Sequence, residues 1–130
     1  MFVWRWVDRL MAGLFVLSAV VQYNDPDPLP WMATYLSAAV VCLLPDTFRH
    51  RSLCAWLVAG GTAFAVLRMA PAALALNELS DLVASMTVER PEVEAARETL
   101  GLAIVSLWSA GVGLRDQWMR QTGRTASSSG

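Results

Sequence analysis

The sequence predicts an all-α protein, an integral membrane four-helix bundle with a short extracytoplasmic amphipathic helix between the third and fourth spans. Three observations carry this. First, 55% of the 130 residues are hydrophobic and 16% are charged, against roughly 25% charged in an ordinary soluble domain, and the mean hydropathy is +0.43. Second, four apolar segments, 10–21, 31–44, 53–67 and 100–114, would be apolar all round as helices. That leaves no polar face for water and weighs against a soluble bundle. Third, all ten basic residues are arginine and most stand at segment ends, where such side chains pair or snorkel.

No segment alone reaches the roughly 18 uninterrupted apolar residues that mark a span outright, so each is extended by its flanks. The first then covers about 4–23, with Arg5, Asp8 and Arg9 confined to its first turns. Arginines followed by an apolar run also open a secretory signal peptide. Here no convincing small-x-small cleavage site follows, and cleavage would destroy the junction with the next motif, so a retained span is expected. That motif, QYNDPDPLPWMATY at 22–35, is a polar, proline-stiffened hinge between two apolar runs. Span two follows at about 29–45, with Pro30 suited to its first turn. Span three, about 53–70, carries Gly60, Gly61 and Thr62 as expected helix-contact positions. In the following stretch Ala75, Leu79, Leu82, Val83 and Met86 recur at helical spacing opposite Asn77, Glu78, Asp81 and Ser85, which predicts an amphipathic helix at about 73–87. Pro71 and Pro91 separate it from its neighbours. Span four covers about 98–115, completing a transmembrane domain of 1–119, and the tail at 120–130 reads as disordered.

Arginine placement sets the orientation. Arg5, Arg9, Arg49, Arg51, Arg115, Arg120 and Arg124 mark the cytoplasmic side, and eight of the eleven acids fall on the other. Both termini are then cytoplasmic, and a bacterial inner membrane is the expected location. Trp4, Trp6 and Trp118 stand at one boundary and Tyr23 and Trp31 at the other, as an aromatic belt requires. Cys42 and Cys54 fall near the cytoplasmic junction of spans two and three and are expected as free thiols.

Several chemistries are set aside. The net charge of −1 and the absence of a basic cluster interleaved with aromatics exclude nucleic acid as a partner. His50 is the one histidine, no serine or cysteine has a nearby base, and no glycine-rich phosphate loop occurs. No enzyme and no cofactor are expected. The candidate site is instead a polar cluster at the extracytoplasmic end: Gln22, Asn24, Asp25 and Asp27 from the hinge, Arg68 from span three, and Glu94, Arg97 and Glu98 from span four. Residues before proline are held extended, which presents Asp25 and Asp27 outward. Glu94, Arg97, Glu98 and Gly101 share one helical face. Two readings stay open. The acids cap helix N-termini, with Arg90, Glu94 and Arg97 a ladder of surface pairs worth little each. Alternatively Asp25, Asp27, Glu94 and Glu98 supply oxygen ligands to a hard cation such as calcium or magnesium. In a narrow bundle Arg97 is expected to reach Asp25 or Asp27.

QYNDPDPLPWMATY, followed after a middle region by EAARETLGL and Trp108, resembles the transmembrane protein 220 family, small polytopic proteins of unknown function found in bacteria and animals. The resemblance carries over Gln22, Asn24, Asp25, Pro26, Asp27, Trp31 and Tyr35 in the first motif, and Glu94, Arg97, Glu98, Gly101 and Trp108 in the second. Pro26, Trp31, Tyr35, Gly101 and Trp108 stand among these as packing positions. The resemblance implies membrane spans and supplies no activity. The segment at 71–89 lies outside it, and the chain stops earlier than the longer animal members. Two functional readings follow. One is an accessory or structural subunit packing in the bilayer against other membrane proteins or itself, as within a respiratory or photosynthetic complex. The other is a protein that binds a hard cation or small polar ligand at the acidic cluster.

Overall fold

The computed structural model describes residues 2–25, 27–73 and 91–128, with side chains described for 3–25, 27–71 and 96–124. It is all-helical: α1 (Phe2–Val21), a 3₁₀ turn (Gln22–Asn24), α2 (Pro28–Leu43), α3 (Arg51–Ala73) and α4 (Pro91–Ser128). The expected amphipathic helix at 73–87 lies, past its first residue, outside the described residues, as does Pro26.

Two helices, Val3–Asn24 and Arg51–Pro71, are long and apolar enough to cross a membrane, while Pro28–Leu43 is a shorter apolar helix. Prolines open α2 where a missing N–H costs nothing. Hydroxyls inside the helices return to carbonyls a turn back, Ser18 to Leu14, Thr34 to Pro30, Ser37 to Ala33 and Thr62 to Val58. That satisfies polar groups which a hydrocarbon medium would leave bare.

The most extensive packing is within two pairs, α1 with α2 and α3 with α4, and α2 also touches α3 and α4. Small residues make this close approach feasible. Ala12, Phe15 and Ala19 of α1 recur at helical spacing and meet Tyr35, Ala38, Ala39 and Cys42 of α2 and Val105 of α4. A second cluster joins Val41, Ala55 and Val112, and Val58 and Trp108 lie against both. The outward faces are apolar: Leu17, Leu57 and Leu107 are 60, 67 and 75% exposed. The Ser106 hydroxyl crosses from α4 to the Ala59 carbonyl at 3.0 Å.

Three features differ from the sequence expectations. The α3 surface against α4 uses Ala55, Ala59 and Thr62, whereas Gly60 and Gly61 face outward with nothing within 4 Å of a would-be Cβ. Helical phase explains this, since positions 55, 59 and 62 repeat every turn on one side and the glycines fall off that stripe. Pro71 does not end α3, which continues to Ala73. A proline in the final turn forfeits one backbone bond without stopping the two residues after it. The C-terminal segment, expected as a disordered tail from 120, is helical through Ser128. Arg120 explains its start, because its guanidinium donates to the carbonyls of Phe48 and Arg49 at 3.0 and 2.9 Å and pins that turn to the α2–α3 loop. No proline follows to break the helix.

Candidate functional site

The most built polar site lies at the end where α1 begins and α4 passes the α2–α3 loop. Its centre is Arg51, the first residue of α3, with 0% of its surface exposed. The guanidinium donates to Asp8 Oδ2 at 2.6 Å, to Asp46 Oδ1, and to Asp116 Oδ1 at 3.4 Å. Its Nε reaches the Val41 carbonyl at 3.3 Å, one of the last carbonyls of α2 that lack a partner within the helix. Arg115 completes the group with a forked contact to Asp8, at 3.1 Å to Oδ1 and 2.6 Å to Oδ2. Asp8 and Asp116 are both 3% exposed. Asp8 of α1, Arg51 of α3, Arg115 and Asp116 of α4 and Asp46 of the α2–α3 loop therefore converge on one buried cluster.

Three carboxylates against two guanidiniums leave this cluster a formal charge of −1. The imbalance falls on Asp116. Its contacts are the longest, at 3.4 Å to Arg51 and 3.9 Å to Arg115, and its Oδ2 has no hydrogen-bond partner. Burial pushes the Asp116 carboxyl above the ordinary aspartate range, and Arg51 and Arg115 pull it part of the way back. Outside the cluster the Arg115 guanidinium lies 5.5 Å from the centre of the Trp4 ring, which closes the site toward the helix exterior. Trp108 Nε1 donates to Cys42 Sγ at 3.3 Å just inside the cluster. Cys42 and Cys54 are both free thiols. His50 is exposed and stands edge-on to Phe48 at 6.0 Å, away from the carboxylates.

At the other end of α1, about 21 Å away at 1.5 Å per residue, the structure brings together part of the cluster expected from sequence. Tyr35 is buried at 8% exposure, with the Gln22 side chain and the charges of Glu98 and Asp25 acting on its phenol. Gly101 lies so close to the Tyr35 hydroxyl that a Cβ there would collide with it. Gly113 of α4 is a second such place, where a Cβ would lie 2.9 Å from Trp56 Nε1. Asp25 has extended backbone, as its proline neighbour dictates, and its N–H closes the 3₁₀ turn on the Gln22 carbonyl at 3.1 Å. Asp27 occupies the N-cap position of α2 without a side-chain cap bond.

Other expected members stand apart. Asn24 and Arg68 are exposed, and so is Arg97, which forms no ion pair with Asp25 or Asp27 among the described residues. The reason is position along α4: its contact with α2 is made by Gly101 and Val105, and Arg97, one turn nearer the start of the helix, lies beyond it. The Glu94 side chain lies outside the described residues. Trp31 is half-buried at the start of α2, and Trp108 lies against both core clusters. No group of three or more metal-ligating side chains occurs among the described residues.

In sequence Asp8, Arg51 and Arg115 stand out only as residues of a membrane boundary, and the aspartates Asp46 and Asp116 not at all. One signal was available: Asp8, Asp46 and Asp116 are the three acids of eleven that fall among the arginines, where charge sorting alone gives no reason for them.

Helices with apolar outward faces and one buried charge cluster define a small helical integral membrane protein. The chain belongs to the transmembrane protein 220 family: the model described as transmembrane family 220, helix, matches residues 14–113. A curated relative, Transmembrane protein 220 of Xenopus laevis, is 34% identical over 110 residues, covering 81% of this chain and 55% of the relative. The chain thus spans about half the length of that relative. No solved structure matches significantly. The matched stretch includes Asp25, Tyr35, Asp46, Arg51 and Gly101 and stops short of Asp8, Arg115 and Asp116.

Proposed function

We propose that this chain is a four-span, non-enzymatic accessory subunit that packs against other membrane proteins or further copies of itself, for example within a respiratory or photosynthetic complex. Both termini are cytoplasmic in this reading, which puts the Arg51 cluster at the cytoplasmic boundary. The observation that carries it is the outward face of α3. Leu57 and Phe64 are 67 and 66% exposed and flank Gly60 and Gly61, whose missing side chains leave an open notch. Small residues flanked by large ones let a second helix approach closely in lipid, whereas contact with acyl chains alone makes no such demand. The test is a photo-crosslinking amino acid placed at Gly60 and, separately, at Leu107, which is exposed on α4, in intact membranes. A protein adduct of fixed mass from position 60 and lipid adducts from position 107 are expected. Lipid adducts alone from both would overturn the reading.

A second reading, a hard cation or small polar ligand bound at the acidic end, draws on one observation: Asp25 and Glu98 both act on Tyr35, so acids from two elements stand near one phenol. Calcium or magnesium should then raise the melting temperature of the wild type and leave that of Asp25→Asn unchanged. Equal shifts in both would dismiss it.

A further inference from the structure

Beside the Arg51 cluster, between the start of α1 and the end of α2, a cavity of about 170 Å³ is lined by Arg5, Asp8 and Arg9 on one side and by Cys42, Leu43 and Asp46 on the other. Its charges are unequally engaged. Asp8 is saturated by Arg51 and Arg115, and Asp46 holds Arg51 with one oxygen. Arg5 and Arg9 are exposed and form no ion pair among the described residues, the Arg9 guanidinium instead lying 5.4 Å from the centre of the Trp6 ring. The pocket therefore presents two guanidiniums without an ion pair among the described residues, one turn apart on α1, facing Cys42, Leu43 and Leu44 at the end of α2.

The surface continues toward the middle of the helices. Position 13 extends the row of Arg5 and Arg9 by one more turn. Gly13 there has nothing within 4 Å of a would-be Cβ. Val16 and Val20 beyond it are 41 and 61% exposed, as are Val40 and Leu43 of α2 at 57 and 60%. A cationic mouth opening onto an unfilled apolar track matches a phosphate carried on acyl chains. Planar guanidiniums suit its oxygens in forked pairs, and basic pockets between membrane helices hold lipid headgroups on this principle.

We propose that this cavity is a phospholipid site, with the phosphodiester held by Arg5 and Arg9 and an acyl chain lying along Gly13. Asp46, 29% exposed on the opposite wall, stands where a primary amine on the headgroup would meet it, so phosphatidylethanolamine is the preferred occupant. The inference does not depend on whether the chain has a protein partner.

The test uses full-length protein purified in mild detergent and native mass spectrometry with added phosphatidylethanolamine, phosphatidylcholine or inorganic phosphate. The wild type should retain one phosphatidylethanolamine in preference to phosphatidylcholine. Arg5→Gln/Arg9→Gln should weaken retention roughly 30-fold, from the usual contribution of an arginine at a lipid surface. Arg124→Gln, an exposed arginine outside the pocket, should leave it unchanged. Should the double variant not fold, Gly13→Leu fills the acyl track without altering charge and should also release the lipid. Equal retention by wild type and variants would overturn the proposal. Binding of inorganic phosphate as tight as that of the lipid would also overturn it and assign the site to a free anion.

Discussion

Replacing Arg51 by methionine tests what the buried cluster contributes, because the change keeps an apolar stem and deletes only the guanidinium. Its consequences differ among the partners. Asp8 keeps the forked contact from Arg115, at 3.1 and 2.6 Å. Asp46 is 29% exposed on its side chain, so water compensates it. Asp116 is left buried, with Arg115 at 3.9 Å as its remaining ion-pair contact. The Val41 carbonyl also loses its donor. Breaking a buried pair from one side costs about 3–5 kcal/mol, since a charge is stranded, out of a typical total of roughly 5–15 kcal/mol. Adding Asp116→Asn removes the stranded charge and should return part of this, with a coupling of about 1–3 kcal/mol. The assay is reversible unfolding in mixed detergent micelles with increasing dodecyl sulfate, followed by circular dichroism. A cost below about 1 kcal/mol for Arg51→Met, or single changes that add to within about 0.5 kcal/mol, would refute the reasoning.

Further expectations follow from the same geometry. The deficit of Arg51→Met should shrink on acidification. Asp116 already has a raised carboxyl, so its protonated form is favoured in the fold, and stability relative to wild type should recover as pH falls toward the ordinary aspartate range near 4; a deficit that deepens with acid would contradict this. Gly101→Ala should destabilise by roughly 1–3 kcal/mol through collision with the Tyr35 hydroxyl, and Tyr35→Phe should relieve it in the double variant, as melting temperatures in detergent would show. Alkylation without reductant should modify both thiols, Cys54 before Cys42, because Cys42 is 5% exposed and engaged by Trp108; mass spectrometry of a time course reads the order. In a Cys42→Ala/Cys54→Ala background, cysteines at Asp25 and Arg124 should react from opposite faces of the membrane, and labelling from one face would dismiss the four-span arrangement.

Helix positions were legible in the sequence because they rest on local signals. The starts of α2 and α4 at Pro28 and Pro91 fall where proline is tolerated, and the apolar runs place the middle of each helix, although α4 continues past its run to Ser128. Tyr35 and Gly101 were legible as packing positions, although their mutual contact was not. The Arg51 cluster was hidden for a specific reason. Its members lie 43, 65 and 107 residues apart along the chain, and each arginine in it also serves the simpler purpose of marking a membrane boundary. An arginine that sets topology and one that is fully buried look alike in sequence. Only the aspartates among them carry the difference.

That difference bears on how so small a bundle holds one arrangement. Contacts such as Ala12, Ala19, Ala38 and Ala39 let backbones approach, but in lipid they bring no hydrophobic drive and little directional preference. A slip of one helix by a turn, about 5.4 Å, would trade one small residue for another at modest cost. The polar ties do not permit it. Asp8 joins α1 to α3 and α4, and at the opposite end Tyr35 of α2 packs its hydroxyl against Gly101 of α4, so the two helix pairs meet closely across their shared boundary near both extremities. A one-turn shift of α1 would carry Asp8 out of reach of Arg51 and Arg115, leaving Arg51 with Asp46 and Asp116 and Arg115 with its 3.9 Å contact to Asp116. In this account the cluster contributes register more than net stability, which is the best attested use of buried polar groups, and replacing all five of its members by apolar residues of similar volume should preserve helix content while loosening the pairing of α1 with α3 and α4.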